Sequence, residues 1–278
     1  MTMTTDVAVS PTRRRPDRGP RIALGLVLVL LAFIIIAPFF LPSPTQQNLT
    51  NILADPSPSA LLGTDQLGRD LFARVVNGMR LDLFIAVAAL IVPLVLGAVL
   101  GAAAGWYSGK VDGSVGVVAD TVQAFPYYLF VIVLAFFLGA GFVSILIAVA
   151  VVAWVSYMRI VRAEVQSALQ QDYVRAAIGA GFSDWRILWR HVLPNVFKQP
   201  LAYAVTDVVV IIVSTATLSY LGVGIAPPTP ELGSLVADGQ QFMGTHPLLT
   251  LAPGLAIVII GAALVLLGNA LTRRLEKS

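Results

Sequence analysis

Six long apolar segments, separated by polar ones, constrain this chain of 278 residues more than any other feature. A helix needs about 20 apolar residues to cross a hydrocarbon layer about 30 Å thick. Any one segment could be a buried helix of a soluble protein, but six in series predict an all-α protein with six membrane-spanning helices. The segments comprise residues 22–41, 83–105, 114–138, 142–158, 201–222 and 248–271.

Composition supports a membrane protein and limits its chemistry. Charged residues make up 12% of the chain, whereas soluble domains carry about 25%. The absence of cysteine excludes disulfides and thiolate metal sites. Because the only histidines are His191 and His246, a histidine-based metal site would need carboxylates, and we expect neither a metal nor a cofactor in this chain.

The first apolar segment is predicted to stay in the protein as a membrane span. Five arginines precede it, as basic residues do in a secretory signal peptide. Its apolar part is longer than the roughly 7–15 residues of a signal peptide. Pro42 and Pro44 follow it, in place of an A-x-A cleavage site.

The distribution of Lys and Arg predicts the orientation of the chain, because cytoplasmic segments are enriched in these residues. Of the 18 such residues, all but Arg69, Arg74 and Arg80 lie in the two tails, at Lys110 or in residues 159–200. Both termini and the 159–200 loop are therefore expected to be cytoplasmic. The expected organisation is a tail at 1–21, a transmembrane domain at 22–271 with extracytoplasmic segments at 43–82 and 223–247, and a tail at 272–278.

The stretch DYVRAAIGAGFSDWRILWRHVLPN, residues 172–195, is polar within an otherwise apolar chain. Residues 173–180 are predicted to form a short helix with small side chains, and Gly181 suits a chain reversal because glycine accepts a positive φ. Ser183 or Asp184 can cap a second helix. The apolar stripe of that helix consists of Trp185, Leu188, Trp189 and Val192.

From these residues alone, two interpretations of the loop stay open. Small residues at a turn and an aromatic stripe beside them fit a groove on a partner protein. An amphipathic helix that lies on the membrane surface would show the same stripe.

The loop resembles the EAA loop of permeases from ATP-binding-cassette (ABC) importers, whose pattern is E-A-A-x3-G-x9-I-x-L-P. The alanine pair, the glycine and the Leu-Pro pair have the required spacing. Arg175 replaces the Glu and His191 replaces the hydrophobic residue, and both replacements resemble the peptide-permease branch. The resemblance assigns to this loop Arg175, Ala176, Ala177, Gly181, Asp184, Trp185, Trp189, His191, Leu193 and Pro194.

Two further motifs resemble the same branch. Residues 62–70, LGTDQLGRD, are similar to its signature L-G-T-D-x-x-G-R-D. Residues 219–224, SYLGVG, precede a proline-rich stretch at 227–230, which is followed by Pro247 and by APGLAI at 252–257. Together the motifs span about residues 60–268 and resemble the C-type permease of dipeptide and oligopeptide importers. The first of these motifs contributes Gly63, Thr64, Asp65, Gly68, Arg69 and Asp70 as candidate site residues.

The resemblance implies a type I importer permease in a bacterial plasma membrane, forming half of a translocation pathway with a homologous B-type permease. Its 172–195 loop would dock on one of two cytoplasmic ATPase domains, which use the ATP. An extracytoplasmic solute-binding protein would deliver the cargo, and the chain itself would contact the lipid bilayer but no nucleic acid. The cargo would be di- or oligopeptides, or alternatively nickel complexes, haem or glutathione.

Four charged residues lie within or beside the predicted spans. Asp120 and Asp207 each lie about 9 Å from the cytoplasmic start of a span, at about 1.5 Å per residue. A charge at that depth is costly unless it is paired or hydrated. We expect Arg159 and Arg162 to be the partners, either in ion pairs that hold helices together or in a group that lines or gates the pathway.

Two features predict how the spans pack. Gly97, Gly101 and Gly105 form a strip that lets another helix backbone approach closely. That helix could belong to a partner permease or to this chain. Pro126 is predicted to kink the third segment, because its missing N–H leaves a carbonyl free.

The 223–247 segment is predicted to contain a helix from about residue 231 to 242. Leu232, Leu235 and Val236 form an apolar stripe on that helix. The stripe could lie on the membrane interface, and we favour a surface that meets the solute-binding protein and helps to close the pathway.

The sequence does not predict an enzyme. Residues 105–110, GWYSGK, have three residues before the GK of a phosphate loop, which needs four, and Val111 follows where Ser or Thr is required. No H-E-x-x-H or G-x-S-x-G motif is present. Two alternatives remain: a stand-alone secondary transporter, although the six segments show no obvious internal duplication, and a membrane scaffold that does not transport.

Overall fold

The computed structural model describes residues 19–275, with side chains between residues 24 and 272. In this part of the chain the regular structure is helical, apart from two isolated β-bridges. The predicted tails, 1–21 and 272–278, lie largely outside the described residues. The helices are α1 (Gly19–Ile36), α2 (Leu71–Tyr107), α3 (Gly109–Gln123), α4 (Tyr127–Leu138), α5 (Phe142–Ala168), α6 (Asp172–Gly179), α7 (Asp184–Ile187), α8 (Leu193–Val196), α9 (Lys198–Tyr220), α10 (Leu232–Gln240) and α11 (Leu248–Leu275).

Helix length and hydropathy confirm the all-α membrane class. Helices α2, α5, α9 and α11 are long and apolar enough to cross a membrane, and the bent pair α3 and α4 would be a fifth span. The apolar helical part of the first segment, Leu24–Phe39, is shorter. Four of the six predicted spans are therefore confirmed by length and composition, a fifth if the bent pair counts as one.

The third predicted span is broken rather than kinked. Helix α3 ends at Gln123 and α4 begins at Tyr127, with an angle of 80° between them. Pro126 is the N-cap of α4, where its missing N–H leaves no intrahelical hydrogen bond unmade. The proline therefore separates two helices in place of bending one.

The glycine strip packs against α5 of this same chain. A Cβ atom at Gly97 would lie 2.6 Å from the carbonyl oxygen of Trp154, and one at Gly101 would lie 2.5 Å from that of Met158. Gly105 is equally close to α5, since its Cβ would lie 2.9 Å from the carbonyl oxygen of Arg162. Of the two alternatives for the glycine strip, packing within the chain is therefore confirmed, and the alternative of contact with a partner permease is wrong.

Helix α10 also packs inward. Leu232 and Leu235 are buried in the main apolar core with side chains of α2, α9 and α11. Glu231 forms the N-cap, since its carboxylate accepts hydrogen bonds from the N–H groups of Gly233 and Ser234. Leu232 and Leu235 therefore face the protein core rather than the membrane interface, and contact of this segment with a solute-binding protein stays a prediction.

Candidate coupling loop and outer motif

The tip of the 159–200 loop is a short helix with one packed face and one exposed face. Val174 and Ala177 of α6 are buried in an apolar cluster that includes Ile187. Arg175 and Ala176 are exposed on the other face. The helix boundaries match the prediction of a helix over residues 173–180.

The chain reverses at Gly181, as predicted. Its φ is +76°, and its N–H donates to the carbonyl oxygen of Ile178 while the N–H of Phe182 donates to that of Ala177. These two bonds satisfy carbonyls at the end of α6. A Cβ atom at Gly181 would have no neighbour within 4 Å, so the backbone conformation alone requires glycine here.

The second predicted helix is divided into three pieces. Helix α7 is followed by a π-helical turn at Leu188–Val192, in which the N–H of Leu193 donates to the carbonyl oxygen of Leu188, and then by α8. Pro194 lies at the start of α8 and cannot donate to the preceding turn. The π-helical turn, which is wider than an α-helical turn, therefore comes just before Pro194, which lacks the backbone N–H donor. Ser183 is the N-cap of α7 but its side chain makes no capping bond.

The predicted stripe of this segment is divided between two environments. Val192 is buried beneath α6, whereas Trp185 and Trp189 are 70% and 54% exposed. The two indole rings lie 5.2 Å apart and line a cavity of about 580 Å³ against the C-terminal half of α2. We call this cavity the aromatic groove. The aromatic residues therefore lie beside α2, whereas Arg175 and Ala176 at the tip of α6 are exposed, and both interpretations of the loop stay predictions.

The two residues that depart from the EAA pattern make local contacts. The guanidinium of Arg175 donates to the side-chain oxygen of Gln170 over 2.8 Å. The ring of His191 stacks on Phe182, with centroids 6.1 Å apart and an interplanar angle of 7°. The guanidinium group of Arg186 lies over the Phe182 ring, 5.5 Å from its centroid. These contacts stabilise the turn around Gly181.

The charged residues within the spans form two ion pairs and one hydrogen bond. Arg159 donates to Asp120 over 2.8 Å, as predicted, but both side chains are largely exposed. Arg162 instead pairs with Asp112, a residue that sequence reasoning missed, over 2.6 Å. Asp112 lies two residues before the predicted span at 114–138, so its place beside the end of a span was the available signal.

Asp207 has no arginine partner among the described residues, so its predicted pairing is wrong. It is buried and accepts a hydrogen bond of 2.8 Å from the hydroxyl of Tyr157. Tyr157 is itself fully buried and packs edge-on against Tyr203. The carboxylate therefore lies in an aromatic environment between α5 and α9.

The LGTDQLGRD motif forms a compact buried structure before α2. Asp65 is 1% exposed, and its carboxylate accepts from the N–H groups of Leu67 and Arg69 and from both the Arg69 and Arg74 guanidinium groups. Arg69 and Arg74 are each 3% exposed. Two buried cations around one buried carboxylate give an ion network that the rest of the motif encloses.

The remaining motif residues shape the backbone around Asp65. Gly63 and Gly68 have φ values of +80° and +68°, and a Cβ at Gly68 would collide with the carbonyl group of Asn48. The hydroxyl of Thr64 donates to Asn51 O over 2.5 Å and accepts from Ala54 N–H. Asp70 caps α2 by accepting from Ala73 N–H over 2.7 Å. The motif is thus a folding element in this structure.

A second buried acidic group lies where α2 meets the start of α10, and the sequence analysis did not identify it. Asp82 of α2 is 1% exposed and accepts a hydrogen bond of 3.2 Å from Leu232 N–H, the residue after Glu231. Glu231 is fully buried. Burial raises the pKa of the Glu231 carboxyl above its ordinary value, although the N–H groups of Gly233 and Ser234 oppose this by stabilising the anion.

Comparison with known proteins identifies the family. A sequence profile described as "Binding-protein-dependent transport system inner membrane component" matches residues 97–278, more than half of the chain. The chain belongs to this family. It is a multi-pass membrane permease subunit of an ABC importer, is not itself catalytic, and works with other permease and ATPase subunits.

Individual relatives and solved structures agree. The chain is 32% identical to the dipeptide transport system permease protein DppC of Haemophilus influenzae, over 94% of this chain and 91% of that protein. It is 34% identical to the nickel transport system permease protein NikC of Escherichia coli, over 92% and 93%. A chain of the MetNI methionine ABC transporter, in an inward-facing conformation, has the same fold with a TM-score of 0.59 at 16% identity, over 74% of this chain and 97% of that one.

Proposed function

We propose that this permease forms half of a pathway for di- or oligopeptides, together with a homologous B-type permease. Two cytoplasmic ATPase domains, which bind the ATP, would drive it, and an extracytoplasmic solute-binding protein would supply the cargo. Several relatives named as dipeptide permeases, each about one third identical over nearly the whole chain, support this cargo. Nickel complexes are the second candidate, because NikC is equally similar.

One observation carries the coupling role of α6. Its inner residues, Val174 and Ala177, are packed on the same apolar cluster as the end of α5, while its outer face and the Gly181 turn are free. A force on the tip is therefore transmitted to α5 through packed side chains rather than absorbed by a loose loop. We infer that the ATPase binds the exposed face of α6 and moves α5 with it.

The test compares two substitutions at Gly181. Gly181→Arg adds bulk and charge at the tip, whereas Gly181→Ala imposes the same positive-φ strain without them. We expect both variants to insert in the membrane, and the arginine variant to lose co-purification of the ATPase and cargo uptake. Undiminished co-purification and uptake with Gly181→Arg would exclude docking at this turn.

The orientation is tested by single cysteines, since the chain has none of its own. A cysteine at exposed Gln240 should react with an impermeant maleimide added to intact cells, and one at exposed Gln170 should react only after permeabilisation. The opposite pattern would reverse the proposed topology. Uptake by a deletion strain, measured with dipeptides, longer peptides and nickel, separates the cargo candidates.

A further inference from the structure

The aromatic groove is a concave surface lined almost entirely by apolar atoms. It lies between the C-terminal half of α2 and the α7–α8 segment, and its volume of about 580 Å³ lies within the range of about 300–1,000 Å³ typical of small-molecule sites. Its apolar lining includes Val99, Ala103, Trp106, Tyr107, Trp185 and Trp189.

These walls are left uncovered. Val99, Tyr107 and Trp185 are 59%, 63% and 70% exposed. Exposed aromatic and aliphatic groups around one cavity mark a surface that is covered in the working protein. The occupant must therefore be apolar where it meets the groove.

The position of the groove indicates lipid rather than protein. One wall belongs to α2, which has the most apolar window among the candidate spans, with a mean hydropathy of 2.9. Trp106 and Tyr107 form the end of that helix, and aromatic residues are enriched where a span reaches the headgroup level. The exposed tip of α6, the proposed ATPase surface, is not part of the lining.

The charges around the groove favour an anionic headgroup. Four exposed cations lie within three residues of a lining residue along the chain, namely Lys110, Arg186, Arg190 and Lys198. None of the four forms an ion pair among the residues that the structure describes. The lining contains one acidic residue, Asp184, so the cations are in excess. Basic residues close to the anionic leaflet each strengthen binding to it.

We propose that the aromatic groove binds one acyl chain of an anionic phospholipid from the cytoplasmic leaflet, with its phosphate among Lys110, Arg186, Arg190 and Lys198. The leaflet assignment rests on the proposed orientation. Because one wall is α2 and the other is the segment that follows the coupling helix, a bound lipid joins these two elements. ATPase coupling in this importer then depends on the supply of anionic lipid.

The test uses photoactivatable lipids in the intact importer. The complex is placed in phosphatidylcholine nanodiscs with a trace of a phosphatidylglycerol or phosphatidylcholine analogue of identical chains, and cross-linked peptides are mapped by mass spectrometry. We expect the phosphatidylglycerol analogue to label residues 95–107 and 184–197 in preference to the phosphatidylcholine analogue. Arg186→Gln and Arg190→Gln should each reduce that preference about fivefold, whereas Arg175→Gln, elsewhere in the same loop, should not.

A second variant tests the apolar part separately. Val99→Trp places an indole in the groove at an exposed position, so it should fold and should abolish labelling of both peptides by the chain-borne probe. Equal labelling by the two lipids, unchanged by Val99→Trp, would show ordinary contact with surrounding lipid and overturn the proposal. Cross-links from the groove to an ATPase subunit would also overturn it.

The two proposals fail in different ways. The lipid contact is made by the permease and needs neither ATP, cargo nor the ATPase, so loss of ATPase docking in Gly181→Arg should leave labelling of the permease unchanged. Labelling of Gln170→Cys by maleimide from outside would move the groove to the other leaflet. That result concerns the orientation alone and does not depend on whether the groove binds lipid.

Discussion

Two of the sequence motifs of this protein, LGTDQLGRD and the 172–195 loop, use charge in opposite ways. In LGTDQLGRD, Asp65, Arg69 and Arg74 are buried and satisfy one another. In the 172–195 loop, Arg175, Asp184, Arg186 and Arg190 are all exposed. A motif with charges buried together stabilises the fold, and one with exposed charges remains available to partners. Two motifs that both match the same family in the sequence therefore have different roles in the structure.

The largest expected effect comes from removing the centre of the buried network. Asp65→Ala leaves the Arg69 and Arg74 guanidinium groups buried without their carboxylate, at a cost of about 3–5 kcal/mol. Asp184→Ala, at an exposed position of the loop, should leave stability nearly unchanged. Thermal denaturation of both variants in detergent, followed by size-exclusion fluorescence, measures the difference. Equal losses of stability in the two variants would show that the two motifs do not differ in their contribution to the fold.

Glycines at positive φ provide a matched comparison. Gly68→Ala combines backbone strain with a collision against Asn48, whereas Gly181→Ala has the strain alone. We expect about 1 kcal/mol of destabilisation at Gly181 and about 2–4 kcal/mol at Gly68, where overpacking is added to the strain. The measurement is the shift of the denaturation midpoint. A Gly181 variant as unstable as the Gly68 variant would show that the loop tip is packed after all.

The buried Glu231 at the start of α10 predicts a pH dependence of stability. A carboxyl whose pKa is raised on folding stabilises the folded protein fully at pH values below its unfolded pKa of about 4.3. That contribution is lost as the pH rises through the raised value. Glu231→Gln should therefore remove this loss of stability at higher pH, by about 1.4 kcal/mol for each unit of pKa shift removed. Because the amide NH2 cannot accept a hydrogen bond, the variant also loses one of the two cap bonds from Gly233 and Ser234 at every pH. The exposed Asp55→Asn is the control, and an unchanged profile in Glu231→Gln would contradict the assignment.

The smallest effect is expected at the exposed ion pair. Arg159 and Asp120 are 49% and 74% exposed, so the pair should contribute about 0–1 kcal/mol. A double-mutant cycle with Arg159→Gln and Asp120→Asn, read from denaturation midpoints, gives the coupling between them. A coupling as large as that of Asp65 with Arg74 would show that this pair is buried in the assembled importer.

Local sequence rules were sufficient for some elements. The apolar segments predicted the helical membrane class, and four of them contain helices long enough to span a membrane. The small helix α6 and the reversal at Gly181 were also predictable, since short residue patterns determine helix ends and positive-φ turns. The role of the loop in docking remains a prediction that the fold supports but does not test.

Other features depended on which helices meet. Asp207 accepts from Tyr157, and Arg162 pairs with Asp112, in each case across 50 residues of chain. The glycine strip fits α5, and Leu235 of α10 enters the main core, although both sequence patterns were equally compatible with a partner or a membrane. Periodicity determines that a helix has an apolar or small-residue face. Only tertiary packing decides what covers that face, because the choice depends on contacts between distant segments that no local pattern records.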